Sequence, residues 1–168
     1  MERIGLMEAF SALCEAIVSQ AVAYYGPRLV SVAVYGSVGR GTPRRDSDID
    51  LLLVVEQLPR GRMPRMAEFD RVEHQLASAL KQSRHHGLNT HISPVIRSPE
   101  EIAGGSLLLL DMTEDARILF DREGFLKKQL ARLKARLAEL GARRIPYRGA
   151  WYWLLKNEIK PGEVFRLW

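Results

Sequence analysis

Two aliphatic runs, Leu29–Tyr35 and Ile49–Val55, stand thirteen residues apart and constrain the fold more than any other feature of the chain. The first, Leu-Val-Ser-Val-Ala-Val-Tyr, is rich in β-branched residues and stops at Gly36, the pattern of a strand with its boundary. The second, Ile-Asp-Leu-Leu-Leu-Val-Val, has almost no polar face, which predicts a strand in the middle of a sheet.

Helical periodicity surrounds these strands. Apolar residues recur every three or four positions from Leu6 to Tyr24, and Gly26-Pro27 stops that helix. Glu56 to Pro64 is predicted as a loop, and Met66 to Ser83 as a second helix with Phe69, Val72, Leu76 and Leu80 on one face. Leu88 to Ile96 reads as a third strand, at an edge or bulged because it contains Pro94. Ser98-Pro99-Glu100-Glu101 has the cap, the proline and the acids of a helix start. A further helix is expected over Leu107–Phe120. Phe125–Leu140 carries a leucine seam at 126, 130, 133, 137 and 140, which packs on the domain or on a second copy of the chain. Beyond it, Ala150–Leu155 and Glu163–Leu167 are expected as two short extended segments forming a hairpin, with turns at Gly149 and Pro161-Gly162. The expected class is α/β with a mixed sheet. Residues 1–122 form the main domain, and 123–168 form a helix and a short β extension of the same domain.

Composition narrows the setting. With 168 residues, 46% of them hydrophobic and 27% charged, the chain has the size and make-up of one globular domain. No unbroken apolar run reaches ~18 residues, so no spanning helix is expected. Met1-Glu2-Arg3-Ile4 lacks the layout of a secretory signal. The single cysteine, Cys14, falls among Leu6, Phe10, Leu13 and Ile17 at helical spacing, which predicts a buried thiol and suits a reducing cytoplasm. The net charge of +5 is uneven: residues 121–168 hold 12 basic and 5 acidic side chains, and residues 1–120 hold 13 and 15. A basic C-terminal part suits contact with an acidic acceptor, a partner protein, a second subunit or nucleic acid.

The chemistry concentrates in Gly36-Ser37, ten intervening residues, and Asp48-Ile49-Asp50. Side chains alternate along a strand, so Asp48 and Asp50 point the same way. Two carboxylates side by side repel unless a cation sits between them, and Mg²⁺ with substrate phosphates suits such oxygen ligands. Gly36 allows close backbone approach to a ligand, and the N–H groups of such a turn form an anion nest. Phosphate donors facing metal carboxylates suit phosphoryl or nucleotidyl transfer. Neither a P-loop nor a dinucleotide fingerprint occurs.

This arrangement, with aliphatic residues after the second aspartate, resembles the signature of the DNA polymerase beta-like nucleotidyltransferase superfamily, and the short chain resembles its minimal nucleotidyltransferases. The motif lies in residues 32–55, the order of elements agrees over about 1–120, and Leu88–Glu101 is similar to the group's third-strand region. The resemblance implies a nucleotidyltransferase fold, a triphosphate held by Gly36 and Ser37, and two Mg²⁺ ions on Asp48 and Asp50. It also implies transfer of a nucleoside monophosphate from an NTP, with ATP expected, to a protein or small-molecule acceptor. It further implies an antitoxin role beside a helical HEPN-type toxin as the alternative.

The sequence departs from the family's pattern in one respect. Active relatives carry a third carboxylate on the later strand, where this chain reads Leu88-Asn89-Thr90-His91-Ile92-Ser93. His91 is the candidate general base there, as its ordinary pKa lies near neutrality. Asp111 and Asp115 are the acids that another element could supply. Arg40 is the candidate phosphate contact in the loop, with Arg44 and Arg45 expected in solvent. His85-His86 reads as a helix end and no metal site. Trp151-Tyr152-Trp153 reads as cover for an apolar face or a dimer interface, with base stacking as the alternative.

Overall fold

The computed structural model describes residues 5–160 and 162–168; Met1–Ile4, where a signal would begin, and Pro161 of the expected second turn lie outside the described residues. α1 (Leu6–Tyr25) ends at Gly26, whose positive φ of 55° a glycine accommodates. β1 (Leu29–Tyr35) follows and is buried along its length up to Tyr35. A single-turn helix α2 (Gly36–Gly39) and a loop lead to β2 (Ile49–Val55). Next come α3 (Arg62–Gln75), α4 (Ala77–His85), β3 (Ile92–Arg97), α5 (Pro99–Ala103), α6 (Leu108–Asp115), β4 (Arg117–Asp121) and α7 (Phe125–Glu139). The hairpin β5 (Arg143–Tyr147) and β6 (Ala150–Leu154) forms a separate two-stranded sheet.

The main sheet has the order β3-β2-β1-β4. β1 is antiparallel to both its neighbours, and β2 is parallel to β3, so the sheet is mixed. The near-continuous apolar run of β2 therefore lies inside the sheet, as its composition demands. Alternation along β1 and β2 feeds two cores. Val32, Val34, Leu51 and Leu53 pack with Phe10, Leu13 and Ile17 of α1 and Phe69 and Val72 of α3. Ala33, Leu52 and Val54 pack with Leu110 and Met112 of α6 and Leu126, Leu130 and Leu133 of α7. Asp50 shares the parity of Leu52 and Val54, so it emerges on the α6–α7 side. The leucine seam of α7 is thus directed into its own domain.

Several expectations need correction. The helix expected over 66–83 is two helices broken at Leu76, and α3 starts at Arg62 because Pro64 is tolerated in a first turn. The helix expected over Leu107–Phe120 stops at Asp115. Ile118-Leu119-Phe120 then runs beside β1 as an edge strand, tertiary pairing having overridden the helical pattern. The hairpin uses Arg143–Tyr147 as its first strand. It turns on Arg148 and Gly149, both at positive φ as a two-residue turn requires, and Glu163–Leu167 is no strand. α1, taken with the turn to Arg28, is by length and composition long and apolar enough to cross a membrane, contrary to the expectation from unbroken runs. In this fold its Phe10, Leu13 and Ile17 are buried in the core. Cys14 is buried among them. Burial pushes its thiol up, against the opposing influence of the Arg117 guanidinium.

Other elements match their sequence patterns. Ser98 caps α5 in a capping box, accepting from Glu101 N at 3.3 Å while Glu101 Oε2 accepts from Ser98 N at 2.9 Å. Pro94 lies on an edge strand, opposite Leu51.

Candidate active site

The β1–β2 register brings the two halves of the motif together. Tyr35 pairs with Asp50, so the chain leaves β1 at Gly36 directly beside the second aspartate. Gly36 has φ +65°, and a Cβ there would stand 2.3 Å from Asp50 Oδ2. Only glycine allows that turn and that carboxylate to share the place. α2 is tightened by the Arg40 N–H donating to Gly36 O at 3.0 Å, and the Thr42 N–H donates to Ser37 O at 2.9 Å. Ser37 is half-buried within this turn.

Asp48 is exposed just before β2, and Asp50 is half-buried on it. Among the described residues neither carboxylate is in a salt bridge. Burial pushes the Asp50 carboxyl above the usual carboxylate range, the charge of Asp48 adds to this, and Arg40 opposes it. Two oxygen donors of like charge, one already disfavoured in its ionised form, are the donor chemistry that a hard divalent cation relieves. Among the described residues no group of three or more His, Cys, Asp or Glu side chains is poised to hold a metal, so the remaining ligands would be phosphate oxygens and water.

β3 supplies the third side of the site. Asp50 pairs with Ser93, and Ile49 pairs with Ile92 while donating its N–H to His91 O at 2.8 Å. His91 therefore follows Asp48 in register and is exposed, and the position beside Asp50 holds a serine. The two aspartates of α6 are engaged elsewhere. Asp111 Oδ1 accepts from the indoles of Trp151 at 3.1 Å and Trp153 at 2.9 Å. Asp115 is buried and accepts from Arg144 at 2.9 and 2.6 Å and from Arg40 at 2.9 Å. Burial pushes the Asp115 carboxyl up, but the hydrogen bonds from Arg144 and Arg40 outweigh this and hold it below the usual carboxylate range.

The loop arginines divide by role. Arg40 reaches Asp115, and Arg44 is exposed as expected. Arg45 departs from the expectation of a solvent-only side chain. It donates to His86 O at 3.1 Å while its own carbonyl accepts from Asn89 N at 2.7 Å, tying the loop to the turn before β3. His85 ends α4, with His86 as its cap, as the sequence suggests. Trp153 packs on the α6–α7 core, which agrees with aromatics covering an apolar face. The cluster of Arg40, Asp115, Arg144 and Trp151 escapes sequence reasoning, because Asp115 lies 75 residues from Arg40 and 29 from Arg144 and no local pattern links them.

The Gly-Ser turn thus packs against Asp50 of β2, with Asp48 just before the strand, in a mixed sheet covered by helices on both faces. Residues 16–136 match the nucleotidyltransferase domain family, and the chain belongs to that family. A relative from Methanocaldococcus jannaschii, bearing the provisional name protein adenylyltransferase MJ1305, is 30% identical over 112 residues, 66% of this chain and 71% of its own. Two solved structures are more distant. A chain of a toxin–antitoxin complex with AMP-PNP aligns at 20% identity and a TM-score of 0.48, over 76% of this chain and 92% of its own. A chain from the complex of a tri-AMPylated Shewanella oneidensis HEPN toxin with an MNT antitoxin aligns at 15% identity and 0.42, over 78% and 92%.

Proposed function

We propose that the protein transfers a nucleoside monophosphate from an NTP, ATP above all, to a hydroxyl of a protein or small-molecule acceptor, with Mg²⁺ and release of pyrophosphate. The observation that carries this reading is the close approach of Gly36 to Asp50, which sets the Gly-Ser turn against the second aspartate of the pair. The name of the Methanocaldococcus relative supports ATP as donor and a protein as acceptor.

Each residue then has a role set by its place. Backbone N–H groups of the Gly36–Ser37 turn and the Ser37 hydroxyl hold the triphosphate, and Arg40 adds a guanidinium at its edge. Asp48 and Asp50 would hold the divalent cations, one ion or the two that the resemblance implies. Bound there, the metal would neutralise phosphate charge and polarise the reacting phosphorus. The acceptor oxygen forms a bond to the α-phosphorus as the bond to the bridging oxygen breaks, and pyrophosphate leaves with that electron pair. His91, the neighbour of Asp48 in register, takes the acceptor's proton. The basic surplus of residues 121–168 supports an acidic protein as acceptor or partner.

The serine beside Asp50 favours a second reading, a nucleotide-binding antitoxin-like partner of a HEPN-type toxin with weak catalysis. Both are tested by incubating the protein with α-labelled ATP, Mg²⁺ and candidate acceptors. Label transfer that Asp48→Asn abolishes and His91→Ala reduces supports the enzyme. Transfer indifferent to Asp48→Asn would refute the assigned site, and tight nucleotide binding with no transfer to any copurifying partner would select the second reading.

A further inference from the structure

The motif does not explain why the C-terminal hairpin reaches the phosphate loop. Asp115 closes α6, and two guanidiniums converge on it from distant parts of the chain, Arg144 of β5 through two hydrogen bonds and Arg40 at the end of α2 through one. The Trp151 indole on β6 lies against both cations, its ring centre 3.7 Å from the Arg144 guanidinium carbon and 4.7 Å from that of Arg40. The backbone of α2 leans on the same point: a Cβ on Gly39 would stand 2.3 Å from Asp115 O. Arg40 meets Asp115 through Nη1, so its Nε and Nη2 donors are not used in that pair.

We infer that Asp115 is a positioning residue for the nucleotide: it fixes Arg40 at the edge of the Gly36–Ser37 turn and, through Arg144 and Trp151, makes the C-terminal hairpin part of the triphosphate site. The inference rests on reading Gly36–Asp50 as a nucleotide site. An arginine whose rotamer is already set loses less conformational freedom on meeting a phosphate than one waving in solvent. Arg144 neutralises Asp115 in turn, so the carboxylate steadies Arg40 without presenting a bare negative charge to the triphosphate.

Two substitutions separate positioning from simple charge. Removing an acid near the site should tighten a triphosphate, and removing a base should loosen it, so a long-range charge effect moves Asp115→Asn and Arg144→Gln in opposite directions. Positioning loosens both. Binding of labelled ATP with Mg²⁺, measured by equilibrium dialysis, is expected to weaken about tenfold in each variant, the loss of one charge-assisted contact. Asp115→Glu is expected to recover most of that loss, and kcat at saturating ATP is expected to change less than about threefold. ATP is expected to change the tryptophan fluorescence of the wild type, and Trp151→Phe is expected to remove that change. A Kd unchanged or lowered in Asp115→Asn overturns the inference, and a fluorescence response intact in Trp151→Phe overturns the hairpin's part in it. Arg144→Gln and Trp151→Phe lie on the hairpin and keep the question answerable if Asp115→Asn does not fold. Wild-type protein that binds no ATP overturns the nucleotide reading itself, whereas wild-type binding that every variant retains overturns only the positioning role.

Discussion

Gly36 and Asp50 are packed so closely across the β1–β2 pair that a methyl group on residue 36 would overlap the aspartate's Oδ2, 2.3 Å away. Residue 36 also holds φ +65°, which side-chain-bearing residues rarely adopt. Gly36→Ala should therefore both strain the turn and displace Asp50. Gly41 separates the two effects, because it has φ +77° and a Cβ there would meet nothing within 4 Å. Gly41→Ala is expected to cost about 1 kcal/mol by denaturant unfolding with transfer retained, and Gly36→Ala about 2 kcal/mol or more with transfer lost. Equal costs and equal activities would show that the Asp50 contact has no consequence.

The Asp50 carboxyl is held above its ordinary range by burial and by Asp48. A carboxyl raised on folding takes up a proton more readily when folded, so its ionisation burdens the fold above that raised pKa. The burden lifts as pH falls through it. Asp50→Asn should thus raise Tm at neutral pH, by about 2 °C, while abolishing transfer. Divalent-cation affinity needs the ionised form, so in the wild type it should fall as the medium is acidified through the same range. A Tm lowered by Asp50→Asn would contradict this electrostatic strain.

Asp121 joins three elements at the end of β4. Its Oδ1 accepts from Ser31 Oγ at 2.6 Å and from Leu126 N at 2.9 Å, and its Oδ2 accepts from Lys127 N at 3.0 Å. It serves the first turn of α7 as a capping acid and ties that turn to buried Ser31 of β1. Asp121→Ala should cost about 2 kcal/mol in urea unfolding, and Ser31→Ala about 1 kcal/mol. Because the two share a bond, the double variant should cost less than their sum.

The seam of α7 gives a packing test. Leu126 is fully buried and Leu133 nearly so, whereas Lys128 on the same helix is exposed. Leu126→Ala should lose about 3 kcal/mol by leaving a cavity, and Lys128→Ala less than about 0.5 kcal/mol. If the seam instead served a second copy of the chain, Leu126→Ala would shift the oligomeric state and spare monomer stability.

What can be read before folding follows the range of the forces involved. β1 and β2 are legible because burial on both faces leaves no polar position except Ser31 and Asp50, and each of these turns out to bond or to belong to the site. The Ser98 cap and the Gly26 stop are local hydrogen-bonding and backbone effects, complete within a few residues. β4 stays hidden, since the short run Ile118-Leu119-Phe120 shows no period of its own until β1 is present to pair with it. The hairpin is hard to place because Arg148-Gly149 lacks the usual Asn-Gly or Asp-Gly signal, though both residues take the same positive φ. Asp115 is legible only as an acid that another element could supply, and its pairing with Arg40 and Arg144 has no local signal. Its partners stand 75 residues before it and 29 after it, so only the folded chain brings them together.

That separation has a consequence for synthesis. Gly36, Asp48 and Asp50 leave the ribosome long before β5 and β6, and a domain that folds as a unit must wait for them. Arg40 meets Asp115 only after α6 is made, and Arg144 and Trp151 join still later. A chain truncated near residue 125 would carry the turn and both aspartates, with Asp115 paired to Arg40 alone and the second guanidinium missing. Translation itself would thus keep the loop in a less anion-friendly state until the hairpin has closed.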